Sequence, residues 1–203
     1  MSKAKYNRRT YQTVGEFKIN PYGDAYVSDP GYDKPVAHAR RVKNVVHGEW
    51  IADININHYR FDIEGKRRDD HRVAQLFARA KGVDKLVYSG IKVHRRSIKY
   101  SSAWELLSEE IAVDSGQCGI FDYDKFGDCS CFEEDGVCGF GDRWYSNMCD
   151  ITLNWHAGVF EYGVNASSGF GDGCYTLWGH KNREGKYDAF CVVFLGDNEK
   201  IDV

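Results

Sequence analysis

Three stretches of the chain combine residue types that carry chemistry. The first is Asp114-Ser115-Gly116-Gln117, followed closely by Asp122 and Asp124. Alternation with Phe121 and Tyr123 would set Asp122 and Asp124 on one side of a strand, a geometry that can hold a hard divalent cation through oxygen ligands. The same residues also read as an Asp/Ser turn bonded to its own backbone, with the paired aspartates facing solvent. The second stretch is Ser167-Ser168-Gly169-Phe170-Gly171-Asp172-Gly173-Cys174-Tyr175. Its three alternating glycines would let backbone N–H groups approach a ligand or form an anion-binding nest, with hydroxyls from Ser167 and Ser168 and a charge from Asp172. It is neither a Walker loop, lacking Gly-Lys-Ser/Thr, nor a dinucleotide fingerprint, lacking a strand-to-helix unit. A glycine-rich bulge between strands is the alternative.

The third stretch holds Cys129-Ser130-Cys131 and Cys138, with Cys118 and Cys149 farther away. Tetrahedral zinc is met by paired C-x₂₋₄-C knuckles, and C-x-C with one distant Cys fits poorly, so loop thiols are favoured over zinc on Cys129, Cys131 and Cys138. Residues Tyr88 to Lys99, with Arg95-Arg96, are basic enough to meet phosphates but have little aromatic interleaving. The seven histidines form no HExxH spacing, and no serine stands in a G-x-S-x-G elbow, so a hydrolase triad has no support.

These groups need elements to position them. Glu16 to Ile19 and Asp24 to Ser28 alternate around Asn20-Pro21-Tyr22-Gly23, which predicts a hairpin, and Asp29-Pro30-Gly31-Tyr32 predicts a turn. A second hairpin is expected from Val36–Val46 and Glu49–Asn57 around His47-Gly48, then a short strand at Phe61 and Ile63. Asp69 to Gly82 predicts a helix, with acidic residues early, Val73, Leu76, Phe77 and Ala80 on one face, and Gly82 as a stop. Leu86-Val87-Tyr88 and Ile91-Lys92-Val93 read as strands, and Trp104 to Leu107 as a helical turn or a strand approach. Asp114 to Gln117 falls at a turn or strand end, Phe126 to Gly141 in a long loop, and Asp142 to Leu153 in a short helix. The remainder, Ala157–Ala166, Cys174–Trp178 and Tyr187–Leu195, returns to strand, the last two joined through Asn182 to Gly185. The expected fold is a β-rich α+β single domain over residues 1–203, an antiparallel sheet pair, sandwich or open barrel, with one or two short helices.

Aromatic residues make up 14% of the 203, which favours pleated, half-buried surfaces. Seven cysteines, an odd number, and a basic start with no apolar h-region point to reduced thiols and a cytoplasmic chain that crosses no membrane. Residues 1–100 carry 21 Lys/Arg against 11 Asp/Glu and residues 101–203 carry 6 against 19, so the halves differ as about +10 and −13. Halves that fold against each other would cancel much of this field, with Arg or Lys neutralising Asp114, Asp122 and Asp172.

Ser28-Asp29-Pro30-Gly31-Tyr32, Val113 to Asp122, Trp144-Tyr145 with Cys149, Ala157-Gly158-Val159 and Ser167 to Tyr175 together resemble a domain-of-unknown-function family of bacterial and phage proteins. That family more often has Asp-Pro-Cys-Tyr, with Gly31 standing here in place of the Cys. The resemblance implies a β-rich domain whose motifs converge on one site, and an accessory or defence-related setting. It implies no activity. The reading is a binding protein with Asp29, Tyr32, Asp114, Ser115, Gln117, Ser168, Asp172 and Tyr175 around one cleft for a small ligand or protein partner. One alternative is a hydrolase with Mg²⁺ or Mn²⁺ on Asp114, Asp122 and Asp172; another is an interaction protein meeting an acidic partner or nucleic acid through residues 60–99.

Overall fold

The computed structural model describes residues 5–63, 66–94, 97–131, 143–153 and 156–196. Thirteen strands are found among them: β1 (Lys5–Ile19), β2 (Ala25–Ser28), β3 (Arg40–Val42), β4 (Gly48–Ile63), β5 (Lys66–Ala80), β6 (Ile91–His94), β7 (Ser97–Tyr100), β8 (Trp104–Val113), β9 (Gln117–Asp122), β10 (Ala157–Phe160), β11 (Gly163–Ser167), β12 (Gly173–Lys181) and β13 (Tyr187–Val193). One α-helix, α1, spans Arg143–Leu153. Six strands form an antiparallel sheet in the order β1-β4-β5-β13-β12-β8, and five form a second in the order β10-β11-β9-β2-β3. The β-rich, sandwich-like expectation therefore holds.

The core lies between the two sheets. Trp50, Ile54, Leu76, Ile111, Leu177 and Phe190 of the larger sheet meet Ala25, Val27, Ile120 and Val164 of the smaller one. A second apolar cluster occupies the opposite, outer face of the larger sheet, where β6 and its hairpin partner β7 bring Ile91 and Val93 onto Phe77, Trp178 and Cys191.

Covering both faces explains the principal correction. Residues 69–82 are not a helix: β5 runs through them to Ala80, and residues 73–78 are buried without interruption. Leu76 and Ala78 enter the inner core while Phe77 enters the outer cluster. A strand buried on both faces loses the polar alternation that marks strands in sequence, and its apolar run then imitates a helical stripe.

Both predicted N-terminal hairpins are also replaced. β1 pairs with β4 in the larger sheet, whereas β2 pairs with β3 and β9 in the smaller, so Asn20 to Gly23 carries the chain between layers. His47-Gly48 likewise separates β3 in one sheet from β4 in the other. Turn residues dictate that the chain reverses; they do not dictate which sheet receives it. Phe61 and Ile63 continue β4, and Leu86 to Tyr88 belong to a 3₁₀ helix, Lys85–Gly90. The β12–β13 hairpin and α1 follow the sequence reading, whereas the Ala157–Ala166 segment turns at Glu161-Tyr162 and folds back as the β10–β11 hairpin. Most of the Phe126–Gly141 loop, Arg95-Arg96, Cys138 and Asp142 lie outside the described residues.

Near the far end of β4 and β5, His58 and His71 face each other across the strands with Nδ1 atoms 2.6 Å apart, and Thr10 Oγ1 is 2.7 Å from His58 Nε2. One proton between the two Nδ1 atoms satisfies both rings, and a second must be accommodated against it. Burial, the His71 charge and the Arg8 charge hold the His58 pKa below its ordinary value. A lowered histidine favours the neutral ring in the folded state, so the stability it contributes is present above about pH 6.5 and lost as pH falls, because the unfolded chain binds the proton first. Urea denaturation at pH 7.5 and 5.5 should show wild type losing more stability across this interval than His58→Asn; equal losses would refute the coupling.

Candidate functional site

The register of the smaller sheet draws the motifs together. β9 lies between β2 and β11, both antiparallel to it, so Ser28 at the end of β2 pairs with Gly119 and Ser167 at the end of β11 pairs with Gln117. The segments after Ser28, before Gln117 and after Ser167 therefore meet at one end of the sandwich. A backbone hydrogen bond joins two of them: Ser168 N donates to Gly116 O at 2.9 Å, where Gly116 takes a left-handed φ of 71° that glycine adopts without strain.

Asp29 is the organising residue. Its carboxylate is fully buried and accepts four hydrogen bonds, from Gly31 N (2.7 Å), Asp114 N (2.8 Å), Ser115 N (2.8 Å) and Ser115 Oγ (2.7 Å). Among the described residues no lysine or arginine pairs with it, so backbone and hydroxyl dipoles alone solvate this buried charge. Outside this knot, Tyr32 Oη donates to Asp114 Oδ2 at 2.6 Å. That bond to a carboxylate, with some burial, pushes the Tyr32 pKa up to about 12, and the charges of Asp114, Asp29 and Asp172 add to the rise. The Tyr32 hydroxyl thus remains a donor throughout the physiological range.

Asp29, Gly31, Tyr32, Asp114, Ser115 and Tyr145 line a cavity of about 240 Å³. Tyr145 comes from α1, and its ring stands 3.4 Å from where a Gly31 Cβ would lie; that Cβ would also be 3.1 Å from Asp29 Oδ1. A cysteine at position 31 would thus crowd the cavity wall. Burial first, then the hydrogen bond with Cys149, raises the Tyr145 pKa, while Ser115 hydrogen-bonds the same hydroxyl. Gln117 stands behind this wall: Asn165 Nδ2 donates to its Oε1 at 2.6 Å, and its Nε2 donates to Cys149 Sγ at 3.3 Å.

Of the eight residues expected around one cleft, Asp29, Tyr32, Asp114 and Ser115 line the cavity. Asp172 is exposed on the adjoining loop, close enough to influence Tyr32 electrostatically. Gln117 is buried and faces Asn165 and Cys149. Ser168 and Tyr175 support the glycine loop: Ser168 Oγ donates to Gly171 O, and Tyr175 Oη to the carbonyls of Ser168 and Gly171. Gly171 N is likewise taken by Ser168 O, so Ser168 N and Gly171 N knit the loop instead of facing a ligand. Gly31 and Tyr145 were missed as wall residues. A glycine gives no chemical signal, and Tyr145 arrives from a helix remote in sequence.

The metal set Asp114, Asp122 and Asp172 is not assembled. Asp122 ends β9 opposite the cavity, about 16 Å along the strand from Gln117 at ~3.3 Å per residue. Its carboxylate is fully buried, accepts from Asn20 N, Asp124 N and Lys125 N, and caps the 3₁₀ turn Tyr123–Lys125. The strand stops there, so Asp124 is not its same-face partner. Among the described residues no three His, Cys, Asp or Glu side chains form a metal-holding group. Cys129 and Cys131 sit in a short 3₁₀ turn. Among the described residues no lysine or arginine forms an ion pair with Asp114, Asp122 or Asp172; the ion pairs among them form mainly within each half, as in Arg79–Asp53 and Lys181–Glu105. No described helix is long and apolar enough to cross a membrane. No protein-family model, curated protein or solved structure matches this chain.

Proposed function

We propose that the protein is a binding protein whose cavity at the Asp29 knot takes a small ligand through a cationic, donor-bearing group such as an ammonium or guanidinium. The observation that carries this reading is the cavity's charge: Asp114 and Asp29 contribute carboxylates, Asp172 lies nearby, and no described basic residue lines it. A cation entering between Tyr32 and Tyr145 gains Coulombic attraction, and the two rings offer faces for cation–π contact. Binding asks no nucleophile of the site, since Asp29 and Ser115 are committed to each other. Small size suits a single head group better than a polymer.

Thermal shift and calorimetry with agmatine, putrescine and arginine test the reading. At 100 times its Kd a ligand of this kind stabilises the fold by about 2.7 kcal/mol, a rise of several degrees in Tm for a chain of this size. Asp114→Asn should weaken binding about tenfold while the fold persists, because Asp114 is exposed and its backbone N–H, not its carboxylate, holds Asp29. Absence of binding at millimolar amine, or binding indifferent to Asp114→Asn, would overturn it.

A further inference from the structure

A second cavity, of about 250 Å³, lies on the outer face of the larger sheet, under the arm formed by the Lys85–Gly90 turn and β6. Its character is opposite to that of the first. Arg9 and Lys92 supply two cations to its lining, Tyr11, Phe77 and Tyr88 supply aromatic walls, and none of its lining residues is a carboxylate.

The walls and the floor are held from behind. Buried Asp53 accepts from Tyr88 Oη at 2.8 Å and from Thr13 Oγ1 at 2.7 Å, and burial together with the nearby Asp53 carboxylate raises the Tyr11 pKa. The Tyr88 hydroxyl is thereby committed, and the Tyr11 and Tyr88 rings stand 6.4 Å apart, inclined at 46°. Tyr88 also lies 4.3 Å from Phe77, while Tyr11 keeps 42% of its surface exposed. Arg9 is oriented by amides: its Nε donates to Asn57 Oδ1 at 2.8 Å and its Nη1 to Gln75 Oε1 at 3.1 Å. Asn55 Nδ2 donates to the same Gln75 oxygen at 2.8 Å, completing a polar floor beside the rings. Rigid aromatic faces next to positioned cations are what a flat, negatively charged molecule requires.

We propose that this cavity binds a small planar organic anion, a flat ring carrying a phosphate or a carboxylate, with the ring against Tyr11 and the anionic group toward Arg9 and Lys92. The site is separate from the acidic cavity and does not depend on the function assigned to it.

Calorimetry on the intact chain with uridine 5′-monophosphate, benzoate, inorganic phosphate and uridine tests it. A ring-bearing anion should bind, and phosphate alone or uridine alone should bind about tenfold more weakly or worse, since each lacks one half of the recognition. Preference for the nucleotide identifies a phosphate head group, and preference for benzoate a carboxylate. Lys92→Glu reverses one exposed charge with no internal role, and should weaken binding about tenfold; Tyr11→Phe, which keeps the ring, should weaken it far less than Tyr11→Ala. Circular dichroism confirms that each variant is folded. The proposal fails if no ring-bearing anion binds at 10 mM (roughly the weakest binding calorimetry resolves), if uridine or phosphate matches it, or if Lys92→Glu leaves its affinity unchanged.

Discussion

Asp29→Ala should destabilise the fold by about 3 kcal/mol or more and abolish the acidic cavity. The substitution removes an acceptor shared by two loops, leaving Asp114 N, Ser115 N and Ser115 Oγ to find new partners where the carboxylate was buried. Each hydrogen bond to a charged group contributes about 1.5–3 kcal/mol and each stranded donor costs about 1–3 kcal/mol, but bonds sharing one carboxylate do not add, so the total stays well under their sum. Asp29→Asn retains one oxygen and the shape, and brings an NH₂ against donors; about half the loss is expected. Urea denaturation provides the measure, with an unchanged m-value showing that the two-state comparison is sound. A loss under about 1 kcal/mol for Asp29→Ala would mean that the loops are held independently of this carboxylate.

The second large effect belongs to Asp53. Its replacement by Ala should cost about 3–5 kcal/mol, the usual consequence of removing one member of a buried charged pair. Arg79 Nε lies 3.4 Å from Asp53 Oδ2, and the Arg79 side chain is only 13% exposed. That contact is too oblique for a hydrogen bond, so the pair is held by Coulombic attraction while Thr13 and Tyr88 supply the hydrogen bonds. Without Asp53, Arg79 keeps its bond to Val83 O but loses its counter-charge, and the Tyr88 hydroxyl is stranded. The double variant Asp53→Ala/Arg79→Leu should recover part of the loss, because no unpaired charge then remains buried. A double variant as unstable as the sum of its parts would show that the two side chains do not interact. Because Asp53 also holds the Tyr88 hydroxyl, the single variant should loosen the outer cavity as well.

The two sites differ in how far local sequence exposed them. Asp114, Ser115 and the Asp29–Tyr32 turn were recognisable because Asp, Ser and Gly clusters mark chain reversals where polar side chains bond backbone. The outer cavity offered no such signal. Arg9, Tyr11, Asn55 and Tyr88 belong to two strands and a 3₁₀ turn separated by dozens of residues, and only the pairing of β1 with β4 and the packing of the arm place them side by side. Asp53 reads as one of several polar residues interspersed among the apolar ones of β4, yet it anchors the Tyr88 wall of the outer cavity.

By itself, the sequence determined that the chain is rich in strands, where it turns, that α1 forms near residues 143–153, and that polar turn motifs flank β9. Those are consequences of local sterics, side-chain periodicity and backbone-seeking hydroxyls and carboxylates. Tertiary structure decided which sheet each strand joins, that residues 69–80 form a strand whose 73–78 stretch is covered on both faces, and that Asp122 caps a turn remote from Asp114. It also decided that Asp29 is the buried centre of the acidic site. These outcomes depend on long-range pairing, since a strand's partner and a carboxylate's solvation are set by groups distant in sequence, whose identity a local pattern does not encode.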